Sequence, residues 1–400
     1  MTSTISSPAR PGADRRGVYE PEHEAFRDSF RRFLAGRVVP GYDDWERTGV
    51  IPRELFAEAG DHGFLGMAIP EEYGGGGSDD FRFNAVIAEE VAYAGVMSFG
   101  VNLHNDICVP YFLHYATDEQ KRRWLPGLAS GDLIAAIAMT EPGTGSDLAG
   151  IATTAVRDGD HYVLNGSKTF ISNGINADIV IVAARTESDS RHAGLSLLVV
   201  ERGMAGFERG RNLDKIGMHA QDTAELSFTD VRVPAGNLLG ESGQGFRYLV
   251  SNLPQERLTI AVASVAAAAR AVALTTDYVN ERKAFGKPLA AQQNTRFTIA
   301  DAHVQTEVTR AFVDNCLALH VDGALSADRA AMAKLAATEN QGRVVDACLQ
   351  MFGGYGYMAE YPISRAYVDA RVQRIYGGAS EIMKEIIAKS LGLGKQGQRP

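Results

Sequence analysis

Apolar positions along this chain repeat with two different periods, and the changes between them divide it into three. From Glu20 to about Ser130 the period is helical. The run FRDSFRRFLAGRVVP places Phe26, Phe30, Phe33 and Leu34 on one face, with Pro40 closing the helix. IPRELFAEAGDHGF predicts a second helix, with Pro52 near its start and Gly60 and Gly63 at its end. FRFNAVIAEEVAYA and TDEQKRRWLPGLASG predict two more, the latter with Thr117 as N-cap and Gln120 three residues on. EEYGGGGSDD between them is too glycine-rich for anything but a loop.

Near Leu133 short β-rich runs replace the helical pattern. ATTAVRDGDHYVLNGSKTFIS carries turn signals at Asp158-Gly159 and Asn165-Gly166, and ADIVIVAART, GLSLLVVE and AELSFTDVRVP continue to about Pro234. Such spacing without intervening helices predicts an antiparallel sandwich or barrel rather than βαβ units. From about Gly245 the helical period returns in four long stretches, the last running from about Ser380 to Leu391. The first of these, RLTIAVASVAAAARAVALTTDYV, is alanine-rich with two arginines and predicts a tightly packed core helix. The expected layout is a polar tail over 1–17, then segments over 18–132, 133–244 and 245–400. The tail is Ser- and Arg-bearing like a mitochondrial presequence, but it lacks an apolar helical face and contains Asp14, so a frayed terminus is expected.

Composition adds exclusions. The 400 residues are 45% hydrophobic, 22% charged and 8% aromatic, as in a globular chain of two or three domains. The formal charge of −9 argues against non-specific nucleic-acid binding, which needs a basic face. Cys108, Cys316 and Cys348 are far apart and lack metal-ligand spacing, so neither a disulfide framework nor a metal site is expected. No uncharged apolar run reaches the ~18 residues of a membrane span, and no membrane insertion is expected. The expected location is cytoplasmic in a bacterium. There is no GxGxxG after a strand, no HExxH and no GxSxG. NGSKT lacks the earlier glycine of a phosphate-binding loop.

Four segments carry candidate chemistry, each with a bland alternative. AMTEPGTGSDLAG (138–150) lets backbone and hydroxyls approach a ligand, or is a surface turn. KTFISNG (168–174) lies on a strand and turn, or is an ordinary hairpin. In ERKAFGKPLAAQQ (281–293) Arg282 could grip a phosphate, or end a solvated helix. RIYGGASEI (374–382) is equally a turn between helices with Ser380 as N-cap.

In this order and at these distances, from about residue 20 to residue 391, the four segments resemble the acyl-CoA dehydrogenase family. LPQERLTIA, RAFVDNCL, EYPISRAYVDARV and IYGGASEIMKEIIA look most like its long-chain members. The resemblance implies a mainly α fold with a central β domain: an N-terminal helical domain, a middle β-barrel and a C-terminal four-helix bundle. It implies one FAD per subunit and a homotetramer built as a dimer of dimers. Flavin contacts would fall on Ile137, Met139, Thr140, Ser146, Phe170 and Ser172. Arg282, Phe285, Gln293, Gln350, Gly353 and Gly354 would come from a neighbouring subunit, and Ala379, Ser380 and Glu381 would approach the flavin again. Ser146, Arg257 and Gly377 would meet the substrate.

One departure matters. Medium- and short-chain members carry their base as the glutamate of IYEGTS, but this chain reads IYGGAS, with Gly377 there. Long-chain and isovaleryl members place the base on a C-terminal-domain helix, which corresponds to Glu256 of LPQER. Its bland reading is an exposed charge in the first turn of a helix. The implied reaction removes the α proton of an acyl-CoA thioester to Glu256 and a β hydride to the flavin, with the Gly377 N–H on the thioester oxygen. Electrons would pass to an electron-transferring flavoprotein. Arg257 would orient the base or touch substrate, or form a structural ion pair. Residues 98–110 would line the pocket floor. An acyl-CoA oxidase or flavin monooxygenase on the same fold, or a base-less partner subunit, are the alternatives. The acyl group's length and branching stay open.

Overall fold

The computed structural model describes residues 16–187 and 194–394. Of the expected tail, only Arg16 and Gly17 fall within them. Arg16 is not frayed, because its guanidinium bonds to Glu89 and Asp314.

The N-terminal segment holds α1 (Pro21–Phe33), α2 (Tyr42–Thr48), α3 (Glu54–Asp61), α4 (Arg82–Ala94), α5 (Val109–Tyr115) and α6 (Asp118–Ser130). Phe30, Phe33 and Leu34 enter the buried core with Phe56 and Phe64. The α1 helix does not run on to Pro40, since a π-helical turn takes over at Leu34–Val38. Thr117 and Gln120 form the expected capping box of α6. A second π-helical turn, Leu103–Cys108, leads into α5, and the hydrophobic pattern predicted neither.

The β segment comprises β1 (Ala135–Ala138), β2 (Thr154–Asp158), β3 (His161–Ser172), β4 (Ile179–Arg185), β5 (Leu195–Glu201), β6 (Phe207–Asn212), β7 (Thr223–Pro234) and β8 (Leu238–Leu239). The strands pair in the order β6-β7-β3-β2-β4-β5-β8, with β1 beside β4. Most pairs are antiparallel as expected, but β1 and β2 both run parallel to β4. Asn165-Gly166 is not a turn. β3 runs through it, and the ladder with β7 shifts register between Leu164 and Gly166. Gly166 has φ +148 and packs where a Cβ would strike Thr153, so glycine here permits a bulge rather than a reversal.

Helix α7 (Gly245–Glu281) is the axis of the C-terminal segment and packs against α4, α8 (Gln293–Val321) and α9 (Ala327–Phe352). It is long and apolar enough to cross a bilayer, yet 83% of its most apolar window is buried inside the fold. Small residues on its inner face, including Ala261, Ala268 and Ala271, allow that close approach. Pro254 lies inside the helix, where it lacks the N–H that would bond the carbonyl four residues back. A hairpin, β9 (Lys283–Ala284) with β10 (Lys287–Pro288), joins α7 to α8. Helices α10 (Pro362–Ala370) and α11 (Ser380–Ser390) follow.

Candidate active site

Glu256 is not an exposed first-turn charge. It sits well inside α7, is 3% exposed, and shares a face with Asn252 and Ile260, each four residues away. Tyr111 donates to Glu256 Oε1 at 3.2 Å and Asn252 Nδ2 at 3.0 Å. Oε2 receives no hydrogen bond among the described residues. Burial pushes the carboxyl up to about 7, against the opposing pull of those two donors and of Arg257. The result is a carboxylate with one oxygen anchored, one free, and a proton affinity matched to neutral pH.

Tyr111 reaches α7 because Asp106, in the π-helical turn, ties the preceding segment down. Its carboxylate accepts from Thr259 of α7, from Asn84 of α4 and from Asn102, at 2.9, 2.6 and 3.0 Å. Gln255 donates to its backbone carbonyl and Asn252 to that of Ile107. Burial raises Asp106 to about 7 despite these donors. Tyr111 and Asn252 were missed by the sequence reading, and Asp106 entered it only as one of the residues 98–110 expected along the pocket floor. Their signal was a clutch of polar residues, Asn102, Asn105 and Asp106, inside an otherwise apolar run.

The diglycine turn before α11 meets the same face. Gly377 and Gly378 both have positive φ, +62 and +100. A Cβ on Gly377 would fall on Ile260 Cδ1, well inside 3.0 Å. The half-buried Gly377 N–H donates to no acceptor among the described residues. Arg257 Nε donates to the Gly377 carbonyl at 3.4 Å, and Lys334 Nζ to that of Gly378. Arg257 is therefore turned to the backbone and pairs with no carboxylate among the described residues. Ser380 is not the N-cap: Ala379 holds that place, and the Ser380 hydroxyl bonds Glu339 instead. Glu381 is exposed in the first turn of α11.

The candidate flavin residues fall into two groups. Ile137, Met139 and Thr140 follow one another along and just beyond β1, and Phe170 and Ser172 lie at the end of the adjacent β3. Phe170 is 67% exposed with φ +60, an aromatic held outward by a register shift in the ladder. The hydroxyls of Thr140, Ser146 and Ser172 have no partner among the described residues. Beneath them Lys168, fully buried, binds Glu141 at 2.9 Å and the Met139 carbonyl at 3.1 Å. Glu141 in turn accepts the Ala152 and Thr153 amides. This clamp, which the sequence reading did not single out, shapes the 138–150 loop. Unpaired hydroxyls beside an exposed ring suit a flavin that needs hydrogen bonds and a flat neighbour.

In the second group, Arg282, Gln350, Gly353 and Gly354 line one open cleft of about 510 Å³ with Tyr278 and Tyr355. The Arg282 guanidinium lies over the Tyr355 ring, 5.2 Å from its centre, and pairs with no carboxylate among the described residues. Phe285, 97% exposed with φ +52, forms the tip of the β9–β10 hairpin, and exposed Gln293 opens α8. A free arginine above a glycine-lined floor suits a pyrophosphate. Arg282 follows Glu256 by 26 residues on nearly the whole remaining length of α7, about 39 Å at the α-helical rise. One chain does not bring its cleft and its carboxylate to the same small ligand.

Three family models together span almost the whole chain. They are the acyl-CoA dehydrogenase N-terminal domain over residues 20–132, the middle domain over 136–231 and the C-terminal domain over 243–392. The long-chain specific acyl-CoA dehydrogenase of Sus scrofa mitochondria is 50% identical over 378 residues, 94% of this chain and 88% of that protein. The crystal structure of an acyl-CoA dehydrogenase from Geobacillus kaustophilus is 50% identical with TM-score 0.92, covering 94% of this chain and 99% of that one. A glutaryl-CoA dehydrogenase from Mycobacterium smegmatis, in complex with FADH2, is 29% identical with TM-score 0.88, covering 96% of this chain and 98% of that one.

Proposed function

This chain belongs to the acyl-CoA dehydrogenase family of FAD-dependent enzymes, and from that premise we propose that it desaturates an acyl-CoA thioester between the α and β carbons with Glu256 as the base. The observation that carries the proposal is the Glu256 carboxylate itself: buried, anchored through Oε1 and raised to about 7, with Oε2 free.

An α C–H beside a thioester is a weak acid, so the site must both accept the proton and stabilise the charge left on the carbonyl oxygen. Glu256 Oε2 accepts the proton. The unpaired Gly377 N–H donates to the thioester oxygen, and Gly377 supplies this donor without needing a side chain. FAD, when bound, would supply the hydride acceptor and the redox link to an electron-transferring flavoprotein. Ile137, Met139, Thr140, Ser146, Phe170 and Ser172 would hold the flavin of their own chain, approached from the α11 side by Ala379, Ser380 and Glu381. The cleft with Arg282, Gln350, Gly353 and Gly354, together with Phe285 and Gln293, would serve the flavin of a neighbouring copy. Exposed Phe297, Val304 and Val308 along α8 offer an apolar face for assembly into a homotetramer.

A long-chain acyl-CoA is the first substrate to test, given the name of the Sus scrofa relative. The assay is anaerobic: acyl-CoA should bleach the flavin of the parent, while Glu256→Gln binds FAD and bleaches about 10²–10⁴-fold more slowly. An unchanged bleaching rate in the variant rejects Glu256 as the base. Turnover with electron-transferring flavoprotein rather than oxygen separates a dehydrogenase from an oxidase.

A further inference from the structure

Lys334 is an anomaly on α9. Its side chain is fully buried, where an ammonium is expensive to place. No carboxylate lies within ion-pair distance of it among the described residues. Its hydrogen-bond acceptor is the carbonyl of Gly378. The neighbouring carbonyl, that of Gly377, takes the buried Arg257. Two buried cations from two different helices thus converge on consecutive carbonyls of one turn. They also repel each other: Lys334 is lowered to about 8, by burial first and by Arg257 second, with Glu339 pulling the other way from beyond ion-pair distance. Glu339, the anion nearest in sequence on α9, is engaged by Ser380 and Arg374 instead. An arrangement so costly in charge is poor evidence of stabilisation, since an apolar replacement for a buried charge is often neutral or favourable.

The turn they grip is the one that needs fixing. Both glycines occupy the left-handed side of backbone space and bring no side chain to pin the turn, and Gly377 carries the N–H that has no acceptor among the described residues. Preorganised donors work only if they do not have to reorient as charge develops.

We propose that Lys334 and Arg257 form a cationic clamp on the Gly377–Gly378 turn, aiming the Gly377 N–H at the substrate carbonyl and adding positive potential where enolate charge develops. Lys334 is a positioning residue in this scheme, acting through the turn. The inference rests on the proposed dehydrogenase reading and deepens it, because it assigns the oxyanion site an electrostatic source beyond one amide.

The test uses the FAD-loaded enzyme with acetoacetyl-CoA, whose bound enolate gives a long-wavelength absorbance with an oxidised flavin. Titrating that band reports how strongly the site favours the oxyanion. Lys334→Met, of similar length and uncharged, should raise the pH of half-formation by about 1, a tenfold loss of preference for the enolate. It should also lower kcat about tenfold or more with KM little changed. Lys334→Gln keeps a donor for Gly378 but not the charge, so it should lose most of the same preference, and it carries the test if the Met variant does not fold. Lys334→Arg should recover much of it. A Met or Gln variant with parental flavin content, enolate titration and kcat overturns the clamp while leaving the dehydrogenase reading intact. A parent enzyme that binds acetoacetyl-CoA without forming the band overturns both.

Discussion

Ile260 Cδ1 occupies the place where a side chain on Gly377 would begin, and Ile260 lies one helical turn beyond Glu256 on the same face of α7. The Gly377 turn therefore abuts, through Ile260, the face of α7 that carries Glu256. That contact makes position 377 the place to try a transplanted base. It also predicts that the transplant needs room. The double variant Glu256→Gly/Gly377→Glu should stay nearly inactive, because the new side chain meets Ile260 and starts from a left-handed residue (φ +62). Adding Ile260→Ala should restore flavin bleaching at least tenfold over the double variant. Equal rates for the double and triple variants, with FAD retained in both, would remove Ile260 as the obstacle.

Tyr111 donates to the ionised form of Glu256, so it favours that form and lowers the proton affinity that burial raises. With the carboxyl at about 7 in the free enzyme, kcat/KM should rise through neutral pH as the base deprotonates. Tyr111→Phe should move this acidic limb to higher pH, by a margin near 1 given a single hydrogen bond to a charged group. The check is a pH profile of kcat/KM for both proteins. A limb that stays in place, or moves to lower pH, contradicts the assignment.

The same carboxylate makes a stability prediction with a definite sign. Its folded value of about 7 lies above its ordinary value of 4.5. Between those values the unfolded chain has released the proton and the folded chain still binds it. The unfolded state thus binds fewer protons, and stability falls as pH rises through that window. Glu256→Gln removes the effect. Parent and variant should melt together near pH 4, and the variant should be the more stable at pH 8, by on the order of 3 kcal/mol at ~1.4 kcal/mol per tenfold. Thermal melts of the apoprotein at the two pH values read this directly.

Much of this site was legible in the chain, and the exceptions have physical causes. The helical, β, helical order follows from periodicity alone, because α7, α8 and α9 are long enough to show a repeat and the strands are bounded by turn residues. Glu256 stood out only through the family resemblance, together with a Gly377 that cannot take a proton. Nothing local to LPQER says that its glutamate is buried, since burial is decided by α4 and α5 packing over it from more than a hundred residues away. Asp106 and Tyr111 were hidden for a related reason: a π-helical turn shifts the register of side chains and breaks the pattern used to assign faces. Asn165-Gly166 misled because the same pair that makes a tight turn also makes a bulge inside a strand. Nothing in the sequence marks Lys168 and Lys334 as buried: Lys168 meets Glu141 and the Met139 carbonyl, and Lys334 the Gly378 carbonyl, contacts that no local motif records.

The separation of Glu256 from Arg282 along α7 yields the strictest test of assembly. If each flavin takes its base from one chain and its pyrophosphate arginine from another, two different defects should complement each other. Glu256→Gln chains retain Arg282, and Arg282→Ala chains retain Glu256. In a mixed dimer one site unites the two defects, but the other unites the two intact residues. With random pairing half the dimers are mixed, so co-expression should restore about a quarter of parental activity from two nearly inactive parents. Arg282→Ala alone should also cost FAD affinity of ~1.5–3 kcal/mol, as for a hydrogen bond to a charged group. Its own fold should be little affected, since among the described residues the guanidinium lies over the Tyr355 ring and meets no carboxylate. If base and arginine served a flavin within one chain, every site in every mixture would carry a defect, and activity would stay at the level of the parents.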